Sequence, residues 1–255
     1  FELLKIRLNE LYDIVDYFVL VEGSHTHTGN KKPFYFQDRK NEFEEFSDKI
    51  ISRSADLPPY GKEPWFGWGR EEYQRSSINA ALIELKAEDD DIIISSDVDE
   101  IPNNKSIAEY LNRHDVCCLE EKTYHYNLNC QLETPTIDPK ICRYKSVRDS
   151  GVANLRYSHS ANDLHIIKNA GWHLSFMGGT DKIIEKMKSY AHYDIREPRM
   201  EEFVSRENVE RSILNKKSLF SRDDIKYLNN TDYSNFPKYI MNNIQYFKDI
   251  GWINA

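Results

Sequence analysis

The chain has 255 residues, 40% of them hydrophobic and 13% aromatic, and a formal charge of −8. That is enough apolar material for one large α/β domain or two small ones. The acidic balance, with no long Lys/Arg run, argues against a nucleic-acid footprint, and no apolar stretch approaches the length of a membrane span.

Leu4, Leu8, Leu11 and Val15 recur at helical spacing and predict an amphipathic helix over residues 2–15. Residues 17–22 read as a short apolar strand ending in the Glu22 carboxylate, before a polar loop over 23–33. A second strand is expected at 49–53. Residues 57–69 look irregular, with Pro58, Pro59, Gly61, Pro64, Gly67 and Gly69 around Trp65 and Trp68. Long loops of this kind over a sheet edge often carry function. A helix follows over 70–86, with Tyr73, Ile78, Leu82 and Leu85 facing inward.

After the acidic turn Glu88-Asp89-Asp90-Asp91, the apolar Ile92-Ile93-Ile94 predicts a buried strand, followed by a helix over 104–113. Several strands with irregular connections are expected between 116 and 167, the first at 115–119. A strand-to-loop segment at 171–179 leads to a helix capped by Thr180 and running to about residue 190. The remainder reads as helical, then loose. Strands alternating with helices in the first half predict an α/β fold with a mostly parallel sheet. With no repeat, low-complexity tract or linker, a single domain over 1–255 is expected.

Cys117, Cys118, Cys130 and Cys142 lack CxxC spacing, so buried free thiols are expected rather than a zinc site. The sequons Asn104-Lys105-Ser106 and Asn229-Asn230-Thr231 read as chance matches.

The densest chemistry lies at Asp97, Asp99 and Glu100, three carboxylates within four residues that directly follow an apolar run. Such a cluster is expensive unless something cationic neutralises it. In an open α/β sheet the carboxyl edge is where ligands bind. An Asp-x-Asp turn holding Mg²⁺ or Mn²⁺ against a diphosphate satisfies both conditions, because hard oxygens suit those ions. The same pattern opens the haloacid-dehalogenase-type phosphatases, in which Asp97 would be the nucleophile. Those carry Thr or Val two places after the second Asp, where this chain has Ile101. A non-catalytic carbohydrate-binding protein is the third reading.

Four stretches, in order and at matching spacing, resemble glycosyltransferase family 17. They are Ile6-Arg7-Leu8-Asn9-Glu10-Leu11 leading into residues 15–22, Arg70-Glu71-Glu72-Tyr73-Gln74-Arg75, Ser96-Asp97-Val98-Asp99-Glu100-Ile101-Pro102, and Gly171-Trp172-His173-Leu174-Ser175 with Gly178-Gly179. The resemblance covers nearly the whole chain, and the family pattern begins about one strand before Phe1. It implies a GT-A type, Rossmann-like fold, with the nucleotide-sugar half over about 1–102 and the acceptor half over about 103–255. It also implies UDP-N-acetylglucosamine as donor, a glycan acceptor, Mn²⁺ or Mg²⁺ at the Asp-x-Asp, and inversion at the anomeric carbon. Vertebrate members carry a membrane anchor and stem that this sequence does not display. A cytoplasmic, bacterial or viral setting is therefore expected, or a Golgi-lumenal one if an anchor precedes Phe1. Oligomeric state has no sequence signal.

Within that resemblance the residues take roles. Asp99 is the direct metal ligand, and Asp97 contacts metal, metal-bound water or the ribose and sugar; Glu100 supports them. His173 adds a metal or phosphate contact, with His192 as its substitute. A carboxylate is the expected general base. Asp181 is the first choice and Glu120, Glu121 and Glu185 are rivals, although an Asp in a first helical turn also complements the helix dipole. Arg70 and Gln74 share a helix face, and with Arg75 they offer forked donors to the diphosphate. Glu22 is placed for the uridine or ribose, Lys31 and Lys32 for phosphate. The loop over 57–69 is expected to close on the donor with Trp65 or Trp68 beside the sugar.

Overall fold

Helix α1 (Glu2–Leu11) buries Leu4, Ile6, Leu8 and Leu11, as the helical spacing of its apolar residues requires. The structure is a computed structural model that describes residues 1–57, 65–113, 115–157, 164–193 and 197–254. Strand β1 (Phe18–Gly23) pairs in parallel with β2 (Ile50–Ala55), Phe18 opposite Ile50 and Gly23 opposite Ala55. Between them lie α2 (Tyr35–Arg39) and a 3-10 helical stretch, Lys40–Phe46.

The helix expected over 70–86 is two helices, α3 (Trp65–Ser76) and α4 (Ile78–Glu84). At the break, the Ser77 hydroxyl turns back onto the Tyr73 carbonyl. Helix α3 also begins earlier than expected, so Gly67, Trp68 and Gly69 are helical and not part of a loop. A close approach accounts for the glycine at position 67. A Cβ on Gly67 would sit 3.2 Å from the Ala191 carbonyl oxygen and 3.4 Å from that of His27. Residues 58–64 and the Trp65 side chain, which carried the rest of the expected loop, lie outside the described residues.

The chain continues through β3 (Ile92–Ser95), β4 (Glu100–Pro102), α5 (Asn104–Tyr110), β5 (Cys117–His125), β6 (Cys130–Leu132), β7 (Lys140–Arg143), α6 (Val152–Tyr157) and β8 (His165–Ser175). Then come α7 (Gly179–Ser189), α8 (Met200–Phe203), α9 (Arg206–Asn215), β9 (Tyr227–Asn229), α10 (Lys238–Asn242) and α11 (Ile244–Asp249). The larger sheet runs β3-β7-β5-β6-β9, with β8 also on β5 and β4 on β8.

This is a mixed α/β fold, but the expected mostly parallel sheet is not what forms. Among the described residues of the larger sheet only β5 and β8 are parallel, and every other pairing is antiparallel. Parallel neighbours need a crossover of about a dozen residues or more. The short links among β5, β6 and β7 lack that length, so these strands fold back on one another.

Strands β1 and β3 do not pair; they flank a cavity of about 660 Å³ whose lining includes Leu11, Leu20, Ile94, Ile107, Arg7 and Arg75. A second core beneath β8 gathers Trp172, Leu174, Phe236, Phe247 and Trp252. It fastens the C-terminal segment, where the Trp172 indole donates to the Asn235 carbonyl at 2.7 Å. All four cysteines are buried and unpaired, and burial pushes the Cys130 and Cys142 thiols up to about 12. Among the described residues no helix is long and apolar enough to cross a membrane.

Candidate active site

The carboxylate turn closes on itself directly after β3. The Glu100 amide donates to the Asp97 carbonyl at 3.0 Å, and the Asp97 amide donates to Glu100 Oε2 at 2.7 Å. Arg7 reaches it from α1. Its Nη1 donates to Ser96 Oγ at 2.7 Å, to the Asp97 carbonyl at 3.3 Å and to the Glu100 carbonyl at 2.6 Å. The first helix therefore fixes the backbone that presents the carboxylates.

Two more arginines hold the side chains. Arg75, on α3, donates to Asp97 Oδ1 at 2.6 Å and to Glu71 at 3.0 Å. Arg156, on α6, grips both oxygens of Glu100 at 2.7 and 2.8 Å and approaches Asp97 Oδ2 at 3.4 Å. Burial opposes charge on these guanidiniums, but the carboxylates outweigh it and raise both above their ordinary values.

Asp99 turns the other way and is 7% exposed. Its Oδ2 lies 2.7 Å from Lys186 Nζ and 3.7 Å from His173 Nε2. Burial would raise the Asp99 carboxyl, but Lys186 and His173 more than reverse this and hold it well below the usual carboxylate range. His173 stands opposite Glu100 in the β4–β8 register. Thr136 Oγ1 lies 3.1 Å from its Nδ1, which leaves Nε2 facing Asp99. Lys186 arrives because the turn after β8 reverses sharply: Phe176, Gly178 and Gly179 have φ of 57°, 96° and 80°. Helix α7 then starts on Gly178 and not on a Thr180 cap, since Thr180 is already helical. His125, behind this group, is held neutral; burial and the neighbouring His173 and Lys186 lower it to about 3.

Glu121, from β5, is completely buried, and neither carboxylate oxygen has a hydrogen-bond partner among the described residues. Burial and the charge of Glu100 raise its carboxyl well above the ordinary value.

Other residues singled out in the sequence stand apart from this cluster. Glu22 ends β1 as expected, but it caps α2, accepting from the Phe36 and Gln37 amides at 2.9 and 3.3 Å. Gln74 bonds the Val21 carbonyl and His27. Arg70 is buried and donates to the His27 carbonyl at 2.9 Å. Both brace the loop after β1. Lys32 lies over the Tyr35 ring, and Lys31 forms a β-bridge with His25. Glu120 is bound by Lys168, and Glu185 by Lys182. Asp181 sits in the exposed first turn of α7, paired with Arg206. His192 packs against Trp68 with ring centroids 4.5 Å apart.

Arg7, Arg156 and Lys186 had no assigned role in the sequence, yet they neutralise the motif. For Arg7 a signal existed, because it lies three residues after Leu4 and four before Leu11, within the apolar stripe of α1. A charge on that face needs a buried partner. Arg156 and Lys186 had none, being 59 and 87 residues from their carboxylate partners Asp97 and Asp99.

The strand-end Asp-x-Asp turn by itself leaves both sugar transfer and phosphate chemistry open, and the sequence family decides between them. The chain belongs to glycosyltransferase family 17, whose sequence profile matches residues 1–248. It is 34% identical over 109 residues to the beta-1,4-mannosyl-glycoprotein 4-beta-N-acetylglucosaminyltransferase of Homo sapiens, covering 40% of this chain and 20% of that protein. The Rattus norvegicus and Mus musculus proteins of the same description match over the same length at 34% and 33% identity. The chain thus spans about a fifth of the length of the curated relatives it matches. No solved structure matches.

Proposed function

We propose that this chain transfers N-acetylglucosamine from UDP-N-acetylglucosamine to a glycan hydroxyl, by one in-line displacement with inversion, on a GT-A type fold. The observation that carries this reading is the arrangement of the motif. Asp97 and Asp99 sit on one hydrogen-bonded turn, held by cations from α3, α6 and α7. Family membership supplies the sugar-transfer class, and the relatives' description supplies the N-acetylglucosaminyl group.

The donors fit a hard divalent ion in kind at Asp99, whose carboxylate has the His173 imidazole beside it, while Asp97 faces Arg75 and Arg156. Among the described residues no three metal-binding side chains converge. Mn²⁺ or Mg²⁺ would be held by the Asp99 carboxylate together with substrate phosphates and water, as these ions commonly are. When bound, the ion neutralises the departing diphosphate as a Lewis acid.

The protein's own residues do the rest. Arg7 fixes the turn backbone, and Arg156 clamps Glu100 so that Asp97 and Asp99 keep their directions. Thr136 orients His173 towards Asp99. The acceptor hydroxyl must lose its proton to a carboxylate. Asp181 is the proposed base: it is exposed in the first turn of α7, where Arg206 is its ion-pair partner among the described residues. Glu121 is too deeply buried to touch an acceptor.

Titration calorimetry of UDP in the presence of Mn²⁺ tests the reading. Asp99→Ala is expected to lose the metal-dependent part of the affinity while keeping a cooperative unfolding transition. Unchanged UDP affinity in that variant would sink the assignment. Transfer of labelled sugar to a panel of glycans then identifies the acceptor.

A further inference from the structure

Resting on the metal-dependent reading above, we infer that Lys186 is a tethered counter-ion that occupies the cation position on Asp99 until a divalent ion displaces it. Three contacts carry this. The Lys186 ammonium donates to Asp99 Oδ2 at 2.7 Å and to Ser175 Oγ at 3.1 Å, and it lies 5.1 Å over the Phe176 ring. The ammonium therefore has its own seat, made of an anion, a hydroxyl and an aromatic face. His173 approaches the same Oδ2 at 3.7 Å, so both contacts fall on one oxygen.

The need for such a group follows from the charges. Arg75 and Arg156 neutralise Asp97 and Glu100, but neither bonds Asp99. An ionised carboxylate beside two others, in a mostly buried place, is unfavourable without its own counter-charge. Lys186 supplies that charge in the free protein. A lysine suits an exchangeable role: its ammonium is a compact, strongly hydrated point charge on a flexible four-carbon stem, unlike the fixed fork of arginine. The Lys186 side chain is 37% exposed against 10% for Asp99, so it can withdraw into solvent while Asp99 stays in place. A divalent ion arriving with a diphosphate brings more charge to Asp99 and frees the ammonium to meet the new phosphate oxygens.

The test is the affinity for Mn²⁺ alone, measured by calorimetry without nucleotide and independent of turnover. Lys186→Met is expected to bind Mn²⁺ about tenfold more tightly than wild type. Ser175→Ala, which loosens the seat while keeping the charge, should give a smaller gain, and Lys186→Arg none. Adding Asp99→Asn to Lys186→Met should remove the gain. If Lys186→Met and Ser175→Ala both bind Mn²⁺ no more tightly than wild type, while Asp99→Asn still weakens it, Lys186 is no counter-ion and the metal reading stands. If no variant binds Mn²⁺, with or without UDP, the metal reading falls and the inference with it.

Discussion

Arg156 meets Glu100 with both terminal nitrogens, Nη1 2.7 Å from Oε2 and Nη2 2.8 Å from Oε1. The pair joins α6 to β4 across 56 residues, with the Glu100 side chain 2% exposed and that of Arg156 13% exposed. Removing one partner of a buried pair leaves the other charged and unsolvated, which costs about 3–5 kcal/mol. Arg156→Ala should lose stability on that scale in urea denaturation. Adding Glu100→Gln should recover a large share, since the stranded charge is then gone. A loss below about 1 kcal/mol would show a pair no stronger than an exposed one.

Glu121→Gln is expected to stabilise the protein increasingly as pH rises. Burial first, and then the charge of Glu100, raise the Glu121 carboxyl well above its ordinary 4.5. Above pH 4.5 the unfolded chain gives up this proton while the folded protein keeps it. The folded state then binds more protons, and stability falls as pH rises towards the folded value. Below pH 4.5 this contribution is fully present. Gln has no proton to lose, so its advantage over wild type should grow by about 1.4 kcal/mol per pH unit within that window. Melting temperatures of both proteins between pH 4 and 8 decide this; a constant difference refutes it.

Gly171→Ala should prevent normal folding. Gly171 pairs with Pro102 on one side and with Glu121 on the other. An added Cβ would fall far inside contact distance of the Ile101 carbonyl oxygen and 2.9 Å from Pro102 Cα. These are backbone atoms of a paired strand and cannot move aside cheaply. We expect a loss of more than about 3 kcal/mol, the upper range for overpacking, read as lost soluble yield or a large fall in melting temperature. Near-native stability would mean that β4 can shift away from β8.

Trp68→Ala separates a sugar-facing role from a structural one. Trp68 stands on α3, 40% exposed, its ring edge-on to His192. Such an aromatic pair is worth about 0.5–1.5 kcal/mol, so the stability loss should stay near that range. If the ring faces donor or acceptor, transfer should fall more than donor hydrolysis, shifting the ratio of the two products. A large loss of stability with an unchanged ratio assigns Trp68 to packing alone.

The sequence by itself determined what local spacing encodes. The stripe Leu4, Leu8, Leu11 required α1, and Ile92-Ile93-Ile94 required a strand with Asp97 and Asp99 at its end. The family was legible too, because its four motifs are contiguous runs. Strand direction was not. It depends on which distant strands meet, and the alternation of strands and helices in the first half does not continue through β5, β6 and β7. Nor could spacing reveal what each carboxylate faces. Asp97 and Asp99, two residues apart, meet Arg75 and Arg156 on one side and Lys186 and His173 on the other. Those partners come from α3, α6, α7 and β8. Only packing brings such remote charges within hydrogen-bond reach, and a charge's chemistry is set by what lies within a few ångströms of it.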